Sequence, residues 1–270
     1  GVGSSRLFQT VFFNTSSPPL LPRWNLAAPR VLVVVTSTNR YDYLERTLAS
    51  FRDRVSFAGA ERVGLVVVDD YPARRDAARM AAIAARHGAR VIEHDENKGL
   101  PAAWRRAWDE VEREPAADWV FQLEDDVEFE RDVDLGDMIR TYAAADVPLT
   151  QLALARQPVY ARDDYVRDLQ TGAHGTEHRG FVTQSRYFLT LAAVYPREVV
   201  TRVPKDAVLQ EHTVAQYFGA RGMAGGVLGS RADLVSVRHI GLVSRGAKGP
   251  GFAHLPRGVD YAFDTGAPVP

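Results

Sequence analysis

The chain has 270 residues, 46% hydrophobic and 25% charged, with no cysteine and a formal net charge of −1. Such a length and balance describe one large globular domain or two small ones and exclude a disordered or fibrous chain. The missing cysteines exclude disulfides, zinc–cysteine sites, iron–sulfur clusters and thiol catalysis, and the near-neutral charge lacks the basic excess of a dedicated duplex-DNA binder.

Residues 1–29 place Phe8, Phe12, Phe13 and Trp24 among Ser, Thr and Pro, and read as an extended arm; Pro18, Pro19 and Pro22 bar a helix there. Val31 to Val35 is a continuous apolar run suited to a strand buried on both faces, as in a parallel sheet under helices. A polar turn, Thr36 to Arg40, follows, and then Leu44, Leu48 and Phe51 recur at helical spacing. Val63 to Val68 reads as a second buried strand ending in Asp69-Asp70. Arg74 to His87 is Ala-rich and helical, with Gly88 suited to its C′ position. Arg90 to Glu93 is a short third strand. Pro101 fits the first turn of a helix running to about Val111, with Trp104 and Trp108 on one face. Trp119 to Leu123 is a fourth strand, ending in Glu124-Asp125-Asp126. Strand and helix alternate as in right-handed βαβ units, which predicts a doubly wound α/β sheet.

The second half is less regular. Strands are expected at Leu149–Ala155, Phe188–Leu191 and Leu234–His239, and short helices at Pro196–Arg202 and Glu211–Phe218. Residues 157–180 read as a long loop, with Tyr160, Arg162, Tyr165, Arg167, His174, His178 and Arg179. The Gly- and Pro-rich tail from Gly241 reads as a lid or a wrapping arm. No apolar run reaches the roughly 20 residues that span a bilayer, and no leader is visible, so a soluble, cytoplasmic chain is expected.

In an open α/β sheet, ligands sit at the carboxyl ends of the strands. There the sequence delivers Thr36, Asn39 and Arg40, then Asp69 and Asp70, then Glu124, Asp125 and Asp126. Some of these are equally suited to cap the helices that follow. Three adjacent carboxylates repel one another, however, and a divalent cation or strong donors would relieve that. Unaided, the residues indicate an anion or metal site at a strand edge. Known nucleotide loops are missing: no G-x-G-x-x-G follows a strand, and Gly241 to Lys248 lacks the adjacent Gly-Lys of a phosphate loop.

The segment Thr38-Asn39-Arg40-Tyr41-Asp42-Tyr43-Leu44-Glu45-Arg46-Thr47-Leu48 resembles the opening of family 2 glycosyltransferases with a GT-A fold. Asn97-Lys98-Gly99 followed by Ala103 resembles that family's N-x-G-x-x-x-A element. Gln122-Leu123-Glu124-Asp125-Asp126-Val127 resembles the E-D-D form of the D-x-D motif found in N-acetylglucosaminyltransferases that branch N-glycans, and His239-Ile240-Gly241 with Ser244 resembles a segment near the end of some of them. The likeness covers about residues 30–130 well and 180–245 loosely.

The resemblance implies a GT-A-type fold: a Rossmann-like, mostly parallel sheet with helices on both faces and a less regular acceptor-side half. It implies one domain over 1–270, with an arm (1–29), a nucleotide-sugar-binding half (30–130), an acceptor-side half (131–245) and a tail or lid (246–270). Thr36, Asn39, Arg40, Asn97 and Gly99 would line the donor pocket, Asp69 or Asp70 would contact the base, and Glu124 and Asp125 would approach the nucleoside. Asp126 would hold Mn²⁺ or Mg²⁺ against the diphosphate, with His239 as a second ligand or a structural residue. An inverting transferase needs a general base; Glu211 is the candidate, with Asp206 as fallback. The reaction implied is transfer of a hexosyl or N-acetylhexosaminyl group from a nucleoside-diphosphate sugar, UDP favoured, to a glycan, protein or other hydroxyl. Two rivals stand beside it: a non-catalytic carbohydrate-binding domain of the same fold, and a glycosyltransferase of modified bases in DNA, which the neutral charge disfavours.

Overall fold

The computed structural model describes residues 26–38, 40–70, 77–156, 175–185, 187–241, 243–244 and 261–262. Most of the N-terminal arm, Asn39, the start of the helix expected from Arg74, residues 157–174 of the expected loop and nearly all of the tail lie outside the described residues. The first half alternates as the apolar runs predict: β1 (Arg30–Ser37), α1 (Tyr41–Arg54), β2 (Val55–Ser56), β3 (Glu61–Asp69), α2 (Ala77–His87), β4 (Arg90–Glu93), α3 (Leu100–Arg113) and β5 (Trp119–Glu124). Two short strands, β6 (Val127–Glu128) and β7 (Val133–Asp134), lead into α4 (Leu135–Ala143). Then come β8 (Leu149–Ala153), β9 (Ala155–Arg156), β10 (Gly175–His178), β11 (Phe181–Ser185) and β12 (Ala192–Pro196). Helices α5 (Arg197–Arg202) and α6 (Glu211–Gly219) follow, and then β13 (Ala224–Leu228), β14 (Ser236–His239), β15 (Val243–Ser244) and β16 (Tyr261–Ala262).

Nine strands make the central sheet, in the order β10-β11-β13-β8-β12-β5-β1-β3-β4. Only β12 and β11 run against the rest, so the sheet is mostly parallel. The unbroken apolar run of β1 has a physical reason: it has two buried faces. Val31, Val33 and Val35 enter one core with Leu44, Leu48 and Phe51 of α1, Met80 and Ile83 of α2, and Leu135 and Ile139 of α4. Leu32 and Val34 enter the opposite core with Trp104 and Trp108 of α3, Val199 and Val200 of α5, and Val214 and Phe218 of α6. Each such side chain contributes about 1.5–3 kcal/mol by leaving water.

Several details differ from the sequence reading. The strand expected at Phe188–Leu191 lies at Ala192–Pro196, where alternate residues feed the two cores; Phe188 stacks on Trp104 instead. Residues 175–178, expected in the long loop, pair as β10 with β11. Helix α4 and strands β11 and β13 were not anticipated. β13 reads Ala-Gly-Gly-Val-Leu, and its glycines serve close packing: a Cβ on Gly225 would stand 2.4 Å from the Tyr187 carbonyl oxygen. A second sheet, β6-β14-β9, puts His239 opposite Val127, immediately after the acidic triplet. No helix among the described residues is long and apolar enough to cross a membrane.

Candidate active site

Strand register levels the polar ends of three strands. Thr36 of β1 pairs with Glu124 of β5, and Ser37 pairs with Asp69 of β3. The acidic triplet leaves the sheet at that edge, where the Asp125 N–H donates to the Thr36 carbonyl at 3.1 Å.

Asp125 is fully buried, and donors surround its carboxylate. Its Oδ2 accepts from Ser37 Oγ at 2.8 Å, the Thr38 N–H at 3.3 Å and Arg40 Nε at 3.3 Å, while Arg40 Nη2 donates to Oδ1. Arg40 Nη1 donates to Asp126 Oδ2 at 2.6 Å, so one guanidinium clamps both acids. From α1, the buried Thr47 hydroxyl donates to the Asp125 carbonyl at 2.8 Å and accepts from the Val127 N–H at 3.0 Å. This hydroxyl fixes the backbone on either side of Asp126.

Segment 239–241 closes over Asp126. The Ile240 N–H donates to the Asp126 carbonyl at 2.8 Å, and His239 Nε2 lies 3.2 Å from Asp126 Oδ2. Gly241 passes so close that a Cβ would stand 2.0 Å from Asp126 Oδ2.

Asp70 faces the loop before α3. Its carboxylate accepts from the Lys98 N–H at 3.1 Å and the Gly99 N–H at 2.6 Å, and His94 Nδ1 lies 2.8 Å away. Gly99, with φ of +83°, opens α3 in a conformation that favours glycine. Asp69 is buried, and its carbonyl accepts from the His94 N–H at 3.0 Å. Asn97 Nδ2 is 3.5 Å from Thr38 Oγ1. Of the expected donor-pocket residues, Thr36, Arg40, Asp69, Asp70, Asn97, Gly99, Glu124 and Asp125 thus share one edge of the sheet.

Glu211, the first residue of α6, joins the same edge through Thr190. The Thr190 N–H donates to Glu211 Oε1 at 2.8 Å, and the Thr190 hydroxyl lies 3.1 Å from that oxygen while also bonding Glu124 Oε1. The Glu124 N–H donates to the Leu191 carbonyl at 3.0 Å, which sets Thr190 at the mouth of β12.

Burial, together with the neighbouring charges of Asp126 and Glu211, pushes the Glu124 carboxyl up to about 7. Burial also pushes Asp125 up to about 6, against the pull of Arg40. Asp126 shares that burial, but Arg40 and then His239 outweigh it and hold the carboxyl down at about 2. Glu124, Asp125 and Asp126 thus share the one guanidinium of Arg40, with Glu211 beside Glu124, and an excess of negative charge here favours a cation.

Asp126 Oδ1 and His239 Nδ1 are both buried without a protein partner. A carboxylate oxygen and an imidazole nitrogen suit Mn²⁺, and a cation that bridges phosphates needs only one or two protein ligands. No cluster of three His, Cys, Asp or Glu among the described residues could hold a metal alone. The residues fit a cation shared with a substrate, rather than a closed protein cage.

The sequence reading missed Ser37, Thr47, His94 and Thr190. Ser37 ends β1 and His94 directly follows β4, so the strand-end rule reaches both. Thr47 is a polar residue on a buried helix face, while Thr190 has no local signal.

A family described as Glycosyl transferase family 2 matches residues 32–192. No curated protein gives a significant match. Among solved structures, the mannosyltransferase PcManGT from Pyrobaculum calidifontis, in complex with GDP-Man and Mn²⁺, superposes with a TM-score of 0.53 at 18% identity, over 79% of this chain and 57% of that one. TarS of S. aureus superposes with a TM-score of 0.51 at 15% identity, over 79% of this chain and 37% of that one. The chain therefore spans less than two thirds of either neighbour. At these identities the likeness is one of fold, and it agrees with the GT-A-type α/β architecture.

Proposed function

Since the chain belongs to glycosyl transferase family 2, we propose that it moves a sugar from a nucleoside diphosphate to a hydroxyl acceptor, with inversion and with a divalent cation. One juxtaposition carries the finer reading. Thr190 ties Glu211 to Glu124, which puts a carboxylate from the acceptor-side half beside the acidic triplet.

In this reading Thr36, Arg40, Asp69, Asn97 and Gly99 line the donor pocket, with Asn39 from the same turn. Asp70 shapes that pocket by fixing the backbone of Lys98 and Gly99. Glu124 and Asp125 approach the nucleoside, and Asp126 with His239 holds Mn²⁺ or Mg²⁺. Such a cation, when bound, neutralises charge that develops on the departing diphosphate. Arg40 keeps Asp126 ionised and oriented. Glu211 accepts the proton of the acceptor hydroxyl as its oxygen bonds to the anomeric carbon. The bond from that carbon to the phosphate oxygen breaks on the opposite face, and the diphosphate leaves with the electron pair.

Glu124-Asp125-Asp126 thus serves as an E-D-D metal motif. A UDP-sugar carrying a hexosyl or N-acetylhexosaminyl group is the first donor to test, beside GDP-mannose, the sugar nucleotide bound by the Pyrobaculum neighbour. Glycans, proteins and other hydroxyl compounds are the acceptors in view.

The test is release of nucleoside diphosphate by two variants. Asp126→Asn is expected to abolish metal-dependent turnover with the fold intact; unchanged turnover contradicts the metal role. Glu211→Gln is expected to lose transfer and keep donor binding. Loss of donor binding as well would make Glu211 structural.

A further inference from the structure

We propose that Thr190 is the positioning residue for the general base, a role that rests on the reading of Glu211 as that base. Thr190 is 1% exposed and precedes β12, the strand that packs antiparallel against β5. It makes two separate contacts to one oxygen, Glu211 Oε1: its N–H at 2.8 Å and its hydroxyl at 3.1 Å. The same hydroxyl bonds Glu124 Oε1.

The chemistry of a hydroxyl limits what this bridge does. It carries one hydrogen, so it donates to one carboxylate at a time, whereas the amide N–H of Thr190 is always a donor. The amide anchors Glu211 Oε1 and so fixes where the carboxylate stands. The hydroxyl sets the rotation of that carboxylate and its spacing from Glu124. A general base acts only from within hydrogen-bond reach of the proton it takes, so a carboxylate released to rotate loses rate rather than donor affinity. Side-chain substitution removes the hydroxyl and keeps the amide, which separates the two contributions.

The experiment is hydrolysis of UDP-, GDP-, CDP- and dTDP-sugars with Mn²⁺ and no added acceptor, so that water takes the acceptor's place and nucleoside diphosphate release is read. Thr190→Val is expected to lower kcat about tenfold or more, a part of the ~100-fold or greater contribution of a positioned base, with donor KM within about twofold. Thr190→Ser is expected to return kcat to within about threefold. Thr190→Ala, which adds no methyl to the buried site, is expected to match Thr190→Val and covers a failure of the latter to fold. The double variant Thr190→Val/Glu211→Gln is expected to be no slower than Glu211→Gln alone, because both act through one carboxylate.

Unchanged kcat in Thr190→Val and Thr190→Ala, beside a slow Glu211→Gln, overturns the role of Thr190 and leaves that of Glu211 standing. Losses that multiply in the double variant, or a Ser variant as slow as the Val variant, also overturn it. Full-rate hydrolysis by Glu211→Gln overturns the base reading itself, and this inference with it. Release from none of the donors by the unaltered protein does the same.

Discussion

Arg40 bridges two buried acids, and removing it tests the electrostatic account directly. Arg40→Met keeps most of the side-chain volume and leaves Asp125 and Asp126 without the guanidinium that bonds three of their four oxygen positions through Nε, Nη1 and Nη2. Breaking a buried pair on one side costs about 3–5 kcal/mol at neutral pH, because a charge stays behind uncompensated. Both partners are largely enclosed: the Arg40 side chain is 12% exposed and the acids at most 2%, so solvent screening removes little. For a chain of this size that loss lowers Tm by roughly 10 °C.

The pH dependence supplies the sign. Asp126, held at about 2 in the unaltered protein, contributes stability that is present above the ordinary carboxylate range and is lost as pH falls toward 2. Without Arg40 its folded pKa rises above the unfolded value. Stability of the variant then falls as pH rises from about 4 toward neutrality. Urea unfolding at pH 5 and pH 7.5 is the assay. The gap between variant and unaltered protein is expected to be wide at pH 7.5 and to narrow at pH 5. A loss under about 1 kcal/mol at pH 7.5, or an equal loss at both pH values, refutes the reasoning.

Two further variants probe the frame around Asp126. Thr47→Val removes a hydroxyl that satisfies both the Asp125 carbonyl and the Val127 N–H, and each group left buried and unpaired costs about 1–3 kcal/mol. Urea unfolding is expected to show a total loss of about 2–6 kcal/mol; under about 0.5 kcal/mol would mean that water replaces the hydroxyl. Gly241→Ala puts a methyl 2.0 Å from Asp126 Oδ2 and forces that carboxylate to move, so it is expected to weaken Mn²⁺ binding tenfold or more, read by the EPR signal of free Mn²⁺. Unchanged Mn²⁺ affinity would show that Asp126 does not hold the cation.

Much of the fold was legible because the sheet is doubly covered. A strand with two buried faces is apolar along its buried length, and β1, the second half of β3 and, apart from the buried Gln122, β5 announce themselves in that way. Their polar ends were legible for the same reason: an acid after such a run marks the point where the chain leaves the core, as with Asp69-Asp70 and Glu124-Asp125-Asp126. The glycines of β13 hid a strand, because they answer to the nearby Tyr187 backbone rather than to a turn. Helix α4 carries its own signal, an Asp134 side chain that accepts from the Asp137 N–H at 2.9 Å, yet its short length left it unread. The site followed the same division. Acids at strand ends could be named from the sequence, whereas their roles depend on pairings between distant segments. Asp70 turns to the Lys98 and Gly99 backbone, Arg40 clamps two acids at once, and Thr190 reaches Glu124 because β12 pairs with β5.

The most direct test of the central claim is a thermal-shift panel of UDP, GDP, CDP and dTDP, each with Mn²⁺, Mg²⁺ or EDTA. A ligand at 100 times its Kd stabilises the native state by about 2.7 kcal/mol, or roughly 5–10 °C here. The account predicts such a shift with at least one nucleotide, present with the cation and lost in EDTA and in Asp126→Asn. No shift with any nucleotide, or an equal shift in EDTA, would contradict it.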